Sequence, residues 1–260
     1  MPTSKNFLFL LGGYDLEMVE IRNFLSAHKV PFLDAKLGWD NATWKAYKDP
    51  EFESKVQTEV DNGVQVYGIE LRGEAIPGCK LIDHHNELQD LPAAIEQVAT
   101  LLGIELDRRQ RLIAANDKGY IPAMKEMGAT QDEVDEIRRA DRKVQGVTDE
   151  EEKQAEIDIA EGEKLNDLFI IKTDLPRFSP IPDKLFGKTS KLLIYNKNSL
   201  NFYGQGKKTV TEHLKDYIDS GKAYEGGGES GYFGISKDAL KQEEILEIKD
   251  KIVSLTSNLP

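Results

Sequence analysis

The amino-acid sequence predicts an α/β protein with two domains, the first of which contains a doubly wound, mainly parallel sheet. Two observations support this fold class. Over residues 1–130, short apolar segments alternate with segments of helical spacing, which is typical of a parallel sheet covered by helices. A strongly charged stretch at 131–165 then precedes a second group of strand-like segments at 166–260. We therefore expect a helical connector followed by a smaller C-terminal α/β domain.

The first domain opens with the apolar segment FLFLL at 7–11, which predicts a buried strand. GGYD interrupts it, and apolar residues at helical spacing then predict a helix over 16–28. VPFLDA predicts a second strand, a polar helix-like region surrounds Trp39 and Trp44, and VQVYGIEL and CKLID predict two further strands. PAAIEQVATLLG and DRRQRLIAAND complete the domain as two predicted helices.

The connector consists of two charged segments, TQDEVDEIRRADRK and TDEEEKQAEIDIAE, each of which predicts a helix opened by a Thr-x-x-Glu capping box. Beyond it, LFIIKT, KLLIYN and SLNFYG predict strands. TVTEHLKDYIDSG predicts a helix that starts near Thr209 with its own capping box, and DALKQEEILEIKDKIVSL predicts a final helix. The glycine-rich segment GGGESGYFGIS lies between these two helices and closes a second α/β unit.

The charge balance limits the ligands that the protein can bind. Lys and Arg number 34 and Asp and Glu number 46, which gives a formal net charge of −12. A broad acidic surface repels a long polyanion, so we expect no binding of long duplex nucleic acid, whereas a small nucleotide or short oligonucleotide can still bind in a local basic pocket.

The cysteine content and the apolar segments indicate the cellular environment. Cys79 is the single cysteine, which rules out an internal disulfide and favours a reducing compartment, so we expect a cytoplasmic protein. Every apolar segment is shorter than the roughly 18 residues that a membrane span needs, so we expect no membrane partner. A homodimer is left open.

Polar residues cluster where the predicted strands end. KLIDHHNEL at 80–88 places Asp83, His84 and His85 after a strand, while Asp15 and Glu70 follow two others. Asp117, near the end of a predicted helix, can join them. Carboxylate and imidazole ligands without a thiolate favour hard or borderline divalent ions such as Mn²⁺. The alternative is that one histidine caps a helix and the other is exposed.

The order strand, Asp-His-His, helix resembles the DHH phosphoesterase superfamily, for which IDHHN is the signature motif. GGYDLEM resembles the first motif of its exonucleases, YGIEL stands in the place of the second-motif acid, and AAND is similar to the fourth motif. GGGESGYFG resembles the glycine loop of the associated C-terminal domain. The resemblance implies a metal-dependent hydrolase of phosphoester or phosphoanhydride bonds, with a DHH domain at 1–130 and a substrate-binding domain at 166–260.

Carried over by position, the resemblance implies a set of metal ligands for Mn²⁺ or, as an alternative, Mg²⁺, with one or two ions. Asp83 is implied as a ligand or as an acid that orients an imidazole, and it forms a catalytic pair with His85, which would face the scissile phosphate. The implied ligands are Asp15, Glu17, Glu70, His84 and Asp117.

This sequence also departs from the family pattern. Gly13 stands where the first motif of the exonucleases begins with an acid or histidine, and Glu17 and Glu70 stand where aspartate is usual. A longer side chain moves its carboxylate by about one methylene. We therefore keep two functional hypotheses, an active phosphoesterase and a catalytically degenerate nucleotide-binding or sensor protein.

The second domain supplies predicted substrate-binding residues. Glycines let the backbone approach a phosphate closely, so Gly226, Gly227 and Gly228 predict an anion site unless they form a simple turn. Glu229 replaces the family histidine, and Ser230 can still donate a hydrogen bond.

Basic and aromatic side chains give further, weaker predictions. Lys207 and Lys208 precede a predicted helix, where phosphate binds readily. Tyr232 and Phe233 are expected in the core, with base stacking as the alternative. The connector residues Arg138, Arg139 and Arg142 are expected to pair with Asp135 or Glu136, with phosphate binding as the alternative.

Overall fold

The computed structural model describes residues 6–228 and 231–256 and divides the chain into two compact units, Met1–Gly146 and Val147–Pro260. Both units combine helices with a sheet, which confirms the predicted α/β class with its parallel N-terminal sheet. The predicted connector at 131–165 is divided between the units, because its first helix lies in the first unit and its second helix in the second.

The first unit is built on a four-stranded parallel sheet with the strand order β2-β1-β3-β4. The strands are β1 (Phe7–Leu10), β2 (Phe32–Leu33), β3 (Gln65–Ile69) and β4 (Cys79–Ile82), and the helices are α1 (Leu16–Ala27), α2 (Pro50–Asp61), α3 (Ala94–Leu102), α4 (Arg108–Glu126) and α5 (Gln131–Val144). Because all four strands are parallel, their carboxyl ends lie along one edge of the sheet.

Helices cover both faces of this sheet, as the alternating side chains of β1 show. Phe7 and Phe9 belong to a buried cluster with α1 and α3, whereas Leu8 and Leu10 belong to a second cluster with Trp44 and α2. Successive residues of a strand point to opposite faces, so the apolar run FLFL fills two cores at once. All four residues of β1 are apolar because each face of the sheet packs against its own buried cluster.

The helix-like region after β2 differs from its prediction. It contains two short 3₁₀ helices, Trp39–Asn41 and Trp44–Lys48, before α2 begins at Pro50. Arg72 holds the first of them, because its Nη2 donates to the backbone oxygens of Trp39 and Asp40 at 2.6 and 2.9 Å. The region is therefore an ordered loop fixed to the residues after β3.

Helix α4 is longer than the segment DRRQRLIAAND predicted, and it contains a sharp irregularity. Gly119 and Tyr120 have non-helical backbone angles, and Tyr120 has a φ of 59°. Pro122 follows, and in a continuous helix its ring would clash with the carbonyl group four residues earlier, that of Lys118, so the irregularity lies between these two residues. Asp117 thus lies at the end of a regular helical segment, two residues before the irregularity.

The second unit contains a six-stranded mixed sheet with the order β5-β6-β7-β8-β10-β9, in which only β6 and β7 pair in parallel. The strands are β5 (Glu163–Leu165), β6 (Leu168–Lys172), β7 (Lys191–Tyr195), β8 (Leu200–Gly204), β9 (Ala223–Gly226) and β10 (Tyr232–Ile235), and the helices are α6 (Asp149–Ala160), α7 (Pro180–Leu185), α8 (Lys207–His213), α9 (Lys215–Asp219) and α10 (Gln242–Thr256).

Several local predictions can be checked directly. The capping boxes Thr130 with Glu133 and Thr148 with Glu151 are confirmed. The capping box predicted at Thr209 is wrong, because the helix begins at Lys207 after Gly206, whose φ of 89° turns the chain into it. Strands β5, β9 and β10 and helix α7 were not predicted. Within the described residues, no helix is both long enough and apolar enough to cross a membrane.

Candidate metal centre

Four ionisable side chains meet at the carboxyl edge of the first sheet. Glu17 is the second residue of α1, Glu70 follows β3 directly, and His84 lies two residues beyond β4. The Nε2 atom of His84 is 2.6 Å from Asp117 Oδ2, 3.4 Å from Glu70 Oε1 and 3.6 Å from Glu17 Oε2. Four separate segments of the chain therefore bring their polar atoms to one point.

The atoms at this point are buried and face one another. Glu17 Oε2, both carboxylate oxygens of Glu70, His84 Nε2 and Asp117 Oδ2 make no hydrogen bond of regular geometry, although Nε2 of His84 lies at ion-pair distance from the carboxylates. A buried polar group without a partner is costly and uncommon in native proteins. Carboxylate oxygens and an imidazole nitrogen directed at one another are the donor set of a divalent cation, so these residues fit a metal ion.

The protonation behaviour of the metal-free cluster reflects its crowding. Burial raises the pKa of Glu17 well above its usual value, although the contact with His84 opposes this. Burial alone would lower the pKa of His84, but the carboxylates of Asp117, Glu17 and Glu70 raise it to about 12. Without a cation, the cluster thus retains protons that the unfolded chain would release.

Asp15 and Glu17 also have local structural contacts. The side chain of Asp15 accepts a 2.7 Å hydrogen bond from the backbone N–H of Met18 and caps α1. Burial and the nearby carboxylates of Glu70 and Asp117 raise the pKa of Asp15 well above its usual value. Glu17 Oε1 accepts from the N–H of Ile95 at the start of α3, which leaves Oε2 directed at His84.

His85 and Asp83 form a pair beside the cluster. Asp83 Oδ1 accepts from the backbone N–H groups of His84 and His85, and it lies 2.8 Å from Nδ1 of His85. Of the two roles that the family resemblance leaves open for Asp83, these contacts favour orientation of the imidazole. His85 is partly exposed, and it offers a ligand atom within 4.8 Å of those of Glu70, His84 and Asp117.

The backbone around Glu70 is tightly constrained. Glu70 has a φ of 51°, a left-handed conformation that costs energy for a residue other than glycine. The turn after β1 lies against the end of β3, and only a glycine at position 12 allows this contact. A Cβ atom at Gly12 would be 2.1 Å from the carbonyl oxygen of Ile69. The close approach of two strand ends therefore requires a glycine and places Glu70 in the cluster.

The space beside Gly13 is filled by an aromatic ring. A Cβ atom at Gly13 would lie 3.1 Å from the ring of Trp39. A side chain at this position would require the indole to shift. Gly13 therefore offers no metal ligand, and the ring of Trp39 takes the space beside it.

One of the connector arginines, Arg138, has partners other than those predicted. Arg138 is buried, with Nη1 at 2.9 Å from Asn116 Oδ1 and 2.7 Å from Asp141 Oδ2, and its guanidinium lies over the ring of Tyr120. Asn116 directly precedes Asp117, so this contact supports the helical segment that carries a candidate ligand. For Arg138, the predicted pairing with Asp135 or Glu136 is wrong, because the side chain faces inward.

The substrate-binding residues predicted in the second unit differ in burial and in their contacts. Lys207 is buried and forms a close ion pair with Glu225, whereas Lys208 is exposed. Gly226 ends β9, and Gly227 and Gly228 have φ values of 73° and 70° in the turn that follows. Glu229 and Ser230 lie outside the described residues.

The two aromatic residues after this turn have different environments. Phe233 is fully buried, so its predicted core position is confirmed. For Tyr232 that prediction is wrong, because its side chain is exposed and contacts Tyr203 and Tyr224. The alternation along β10 explains the difference, since neighbouring residues point to opposite faces of the sheet.

Comparison with known proteins gives only remote similarities. No family model and no curated protein matches the sequence. Among solved structures, RecJ from Thermus thermophilus in complex with Mn²⁺ is 10% identical with a TM-score of 0.47, and the match covers 98% of this chain and 52% of RecJ. The chain thus spans about half the length of that protein.

Two further structures have comparable scores. A DHH domain from a member of a ribosomal protein family is 13% identical with a TM-score of 0.49, over 96% of this chain and 87% of that one. An exonuclease RecJ bound to manganese is 10% identical with a TM-score of 0.43, over 98% and 91% of the two chains. The DHH domain belongs to the family that the IDHHN motif of this sequence resembles.

Proposed function

We propose that the protein is a metal-dependent phosphoesterase of the DHH type that acts on a short oligonucleotide or small nucleotide. The observation that carries this proposal is the group of buried oxygen and nitrogen atoms of Glu17, Glu70, His84 and Asp117, which converge on one point and make no hydrogen bond of regular geometry. Mn²⁺ or Mg²⁺ suits these ligands, and such an ion supplies Lewis-acid activation of a phosphoryl group and of the attacking water.

The protein's own residues divide the remaining tasks. Glu17 is held by Ile95 and presents one oxygen to the cluster, so its position is set before a ligand arrives. Asp83 fixes the imidazole of His85 through Nδ1, and Nε2 of His85 makes no hydrogen bond within 6–228 and 231–256. His85 is therefore positioned to bind a phosphoryl oxygen or to donate a proton to the leaving oxygen, while Asp83 fixes the orientation of its ring.

We propose a single tightly bound ion. Glu17, Glu70 and Asp117 each direct a carboxylate oxygen to within 3.6 Å of a single atom, Nε2 of His84. The place of the first-motif ligand is Gly13, next to the ring of Trp39. This feature also supports the second candidate function, a nucleotide-binding protein that has lost catalysis.

Two measurements test the proposal. Calorimetric titration of the full chain with Mn²⁺ should give saturable binding that His84→Ala and Asp117→Ala weaken by at least about 100-fold, since each removes a direct ligand and the loss of a mere supporting partner already costs about 10- to 100-fold. Turnover is then measured with Mn²⁺ on linear dinucleotides, cyclic dinucleotides, phosphoadenosine phosphate and pyrophosphate. His85→Ala should lower kcat by about 10²- to 10⁴-fold, the usual contribution of an acid–base group.

His213→Ala is a matched control, because His213 is an exposed histidine of α8 in the second unit. It should leave both Mn²⁺ binding and turnover unchanged. Saturable nucleotide binding without turnover would favour the degenerate binder. A wild-type protein that takes up no Mn²⁺ would contradict both candidate functions in their metal-dependent form.

A further inference from the structure

Trp39 is an exposed aromatic residue at the edge of the candidate metal centre. Its ring lies 5.8 Å from that of His85, centroid to centroid, in an edge-on arrangement, and it also borders Gly13. The side chain is nevertheless 45% exposed. Trp44, which follows in the same loop, is 1% exposed and packs in the core, so the two tryptophans have different roles.

Hydrogen bonds of the backbone hold the loop that carries Trp39 against the residues after β3. Arg72 donates to the carbonyl oxygens of Trp39 and Asp40, and the backbone N–H of Arg72 donates to the carbonyl oxygen of Ala42. Gly13 lets the indole lie against the turn after β1, where any side chain would push it away. A large apolar surface fixed in water beside polar catalytic groups is suited to contact a planar ligand.

We propose that Trp39 stacks the nucleobase adjacent to the scissile phosphate and so makes the site selective for base-bearing substrates. This inference rests on the proposed function. A phosphate at His85 would place its attached nucleoside within reach of a ring whose centroid is 5.8 Å from the imidazole. Stacking on an aromatic face tolerates any base sequence, because every base has a π-face.

Kinetics of the full-length protein with Mn²⁺ test the role of the ring. The substrates are a dinucleotide and a matched compound in which the base next to the scissile phosphate is replaced by an abasic sugar. Trp39→Leu should raise KM for the dinucleotide by about 5- to 100-fold, the range that base–aromatic stacking spans. Because stacking holds ground state and transition state alike, kcat should change little.

The conservative variant separates stacking from simple burial. Trp39→Phe keeps an aromatic face and should retain most of the wild-type KM, whereas both variants should hydrolyse the abasic compound as the wild type does. Mn²⁺ affinity should be unchanged in both variants, because Trp39 offers no metal ligand. These comparisons need no assumption about which base is preferred.

Fluorescence gives a second readout, because the chain contains only two tryptophans. In Trp44→Phe, the remaining emission comes from Trp39 and should be quenched by a dinucleotide but not by the abasic compound. In Trp39→Phe, emission from buried Trp44 should not respond.

If Trp39→Leu binds and cleaves the dinucleotide like the wild type, the stacking role is wrong while the phosphoesterase proposal stands. If the wild type neither binds nor cleaves any nucleotide, both are overturned.

Discussion

The buried carboxylates of the candidate metal centre should destabilise the fold when no metal ion neutralises their charge. The raised pKa values of Glu17 and Asp15 mean that the folded protein holds protons above their ordinary values of 4.5 and 3.8, where the unfolded chain has released them. His84 gives the same direction of pH dependence for a different reason: its contacts with Asp117, Glu17 and Glu70 favour its charged form and raise its pKa from 6.5 to about 12, and this stabilisation is lost as the pH rises. The free energy of unfolding of the metal-free protein should therefore be greatest near the ordinary carboxylate pKa values, at about pH 4, and should fall as the pH rises towards the raised pKa values of the folded state.

Glu17→Gln tests this expectation at a single residue. Glutamine keeps the oxygen that accepts from Ile95 and mimics the protonated acid, so at pH 8 without metal the variant should melt several degrees above the wild type, where each kcal/mol corresponds to about 2–4 °C. The difference should vanish near pH 4. With saturating Mn²⁺ the order should reverse, because only the wild type has the full ligand set.

Thermal denaturation from pH 4 to pH 9, with EDTA and with Mn²⁺, measures both effects. Glu51→Gln is the matched control, because Glu51 lies in the first turn of α2 as Glu17 does in α1, but is exposed. It should show neither the stabilisation at pH 8 nor the reversal. If Glu17→Gln instead lowers the melting temperature of the metal-free protein at pH 8, Glu17 acts mainly as a structural ion-pair partner of His84.

At the residue scale, the sequence indicated which residues form the candidate metal centre, but it gave less information about the contacts that they make. The positions of Glu70 and His84 followed from the rule that parallel strands end at one edge, Asp117 was placed near them at the end of a predicted helix, and the family motif added Glu17. The sequence did not indicate that Trp39 lies at the site, because its proximity to His85 depends on a loop that is fixed by Arg72. Lys207 was misleading, since its pairing with Glu225 depends on where β9 lies.

At the scale of elements, the site depends on how closely the turn after β1 approaches the end of β3. A Cβ atom at Gly12 would lie 2.1 Å from the carbonyl oxygen of Ile69 and 3.0 Å from that of Glu70. Gly12→Ala should therefore destabilise the protein by about 1–3 kcal/mol, the usual cost of overpacking, and weaken Mn²⁺ binding as Glu70 moves. Urea denaturation and calorimetry measure the two effects.

Gly38→Ala provides the comparison for this variant. A Cβ atom at Gly38 would meet only Asn41 Oδ1 at 3.8 Å, and the residue has a φ of −85°. It should change the free energy of unfolding by less than about 0.5 kcal/mol. Equal stability and Mn²⁺ affinity in the two alanine variants would show that the close approach of these strand ends does not position Glu70.

Element types were easier to predict than element ends. Continuous apolar runs such as FLFLL identified the central strands, and threonine capping boxes marked where α5 and α6 begin. The start of α8 was misplaced because Gly206, with its positive φ, begins the helix without a side-chain cap. Strand β9, AYEG, has too little apolar character to be recognised alone, and its pairing with β10 stabilises it.

At the scale of the whole molecule, the candidate metal ligands all belong to the first unit. That unit has its own buried clusters around the parallel sheet, and the second unit has separate clusters around the mixed sheet. Both units are of a size at which single domains fold. The formal net charge of −12 further implies that nucleotide binding depends on local contacts, since the average field repels phosphate.

A fragment of residues 1–146 should therefore separate metal binding from substrate binding. We expect it to unfold cooperatively and to bind Mn²⁺ within about threefold of the full chain, because every candidate ligand is present. Its KM for a dinucleotide should rise by at least about tenfold, because an acidic centre recognises phosphate through its ion and needs a second surface to hold the rest of the substrate. Pyrophosphate has no remainder to hold, so its KM should change far less. A folded fragment that binds Mn²⁺ and cleaves the dinucleotide with the full chain's KM would show that the second unit does not bind substrate.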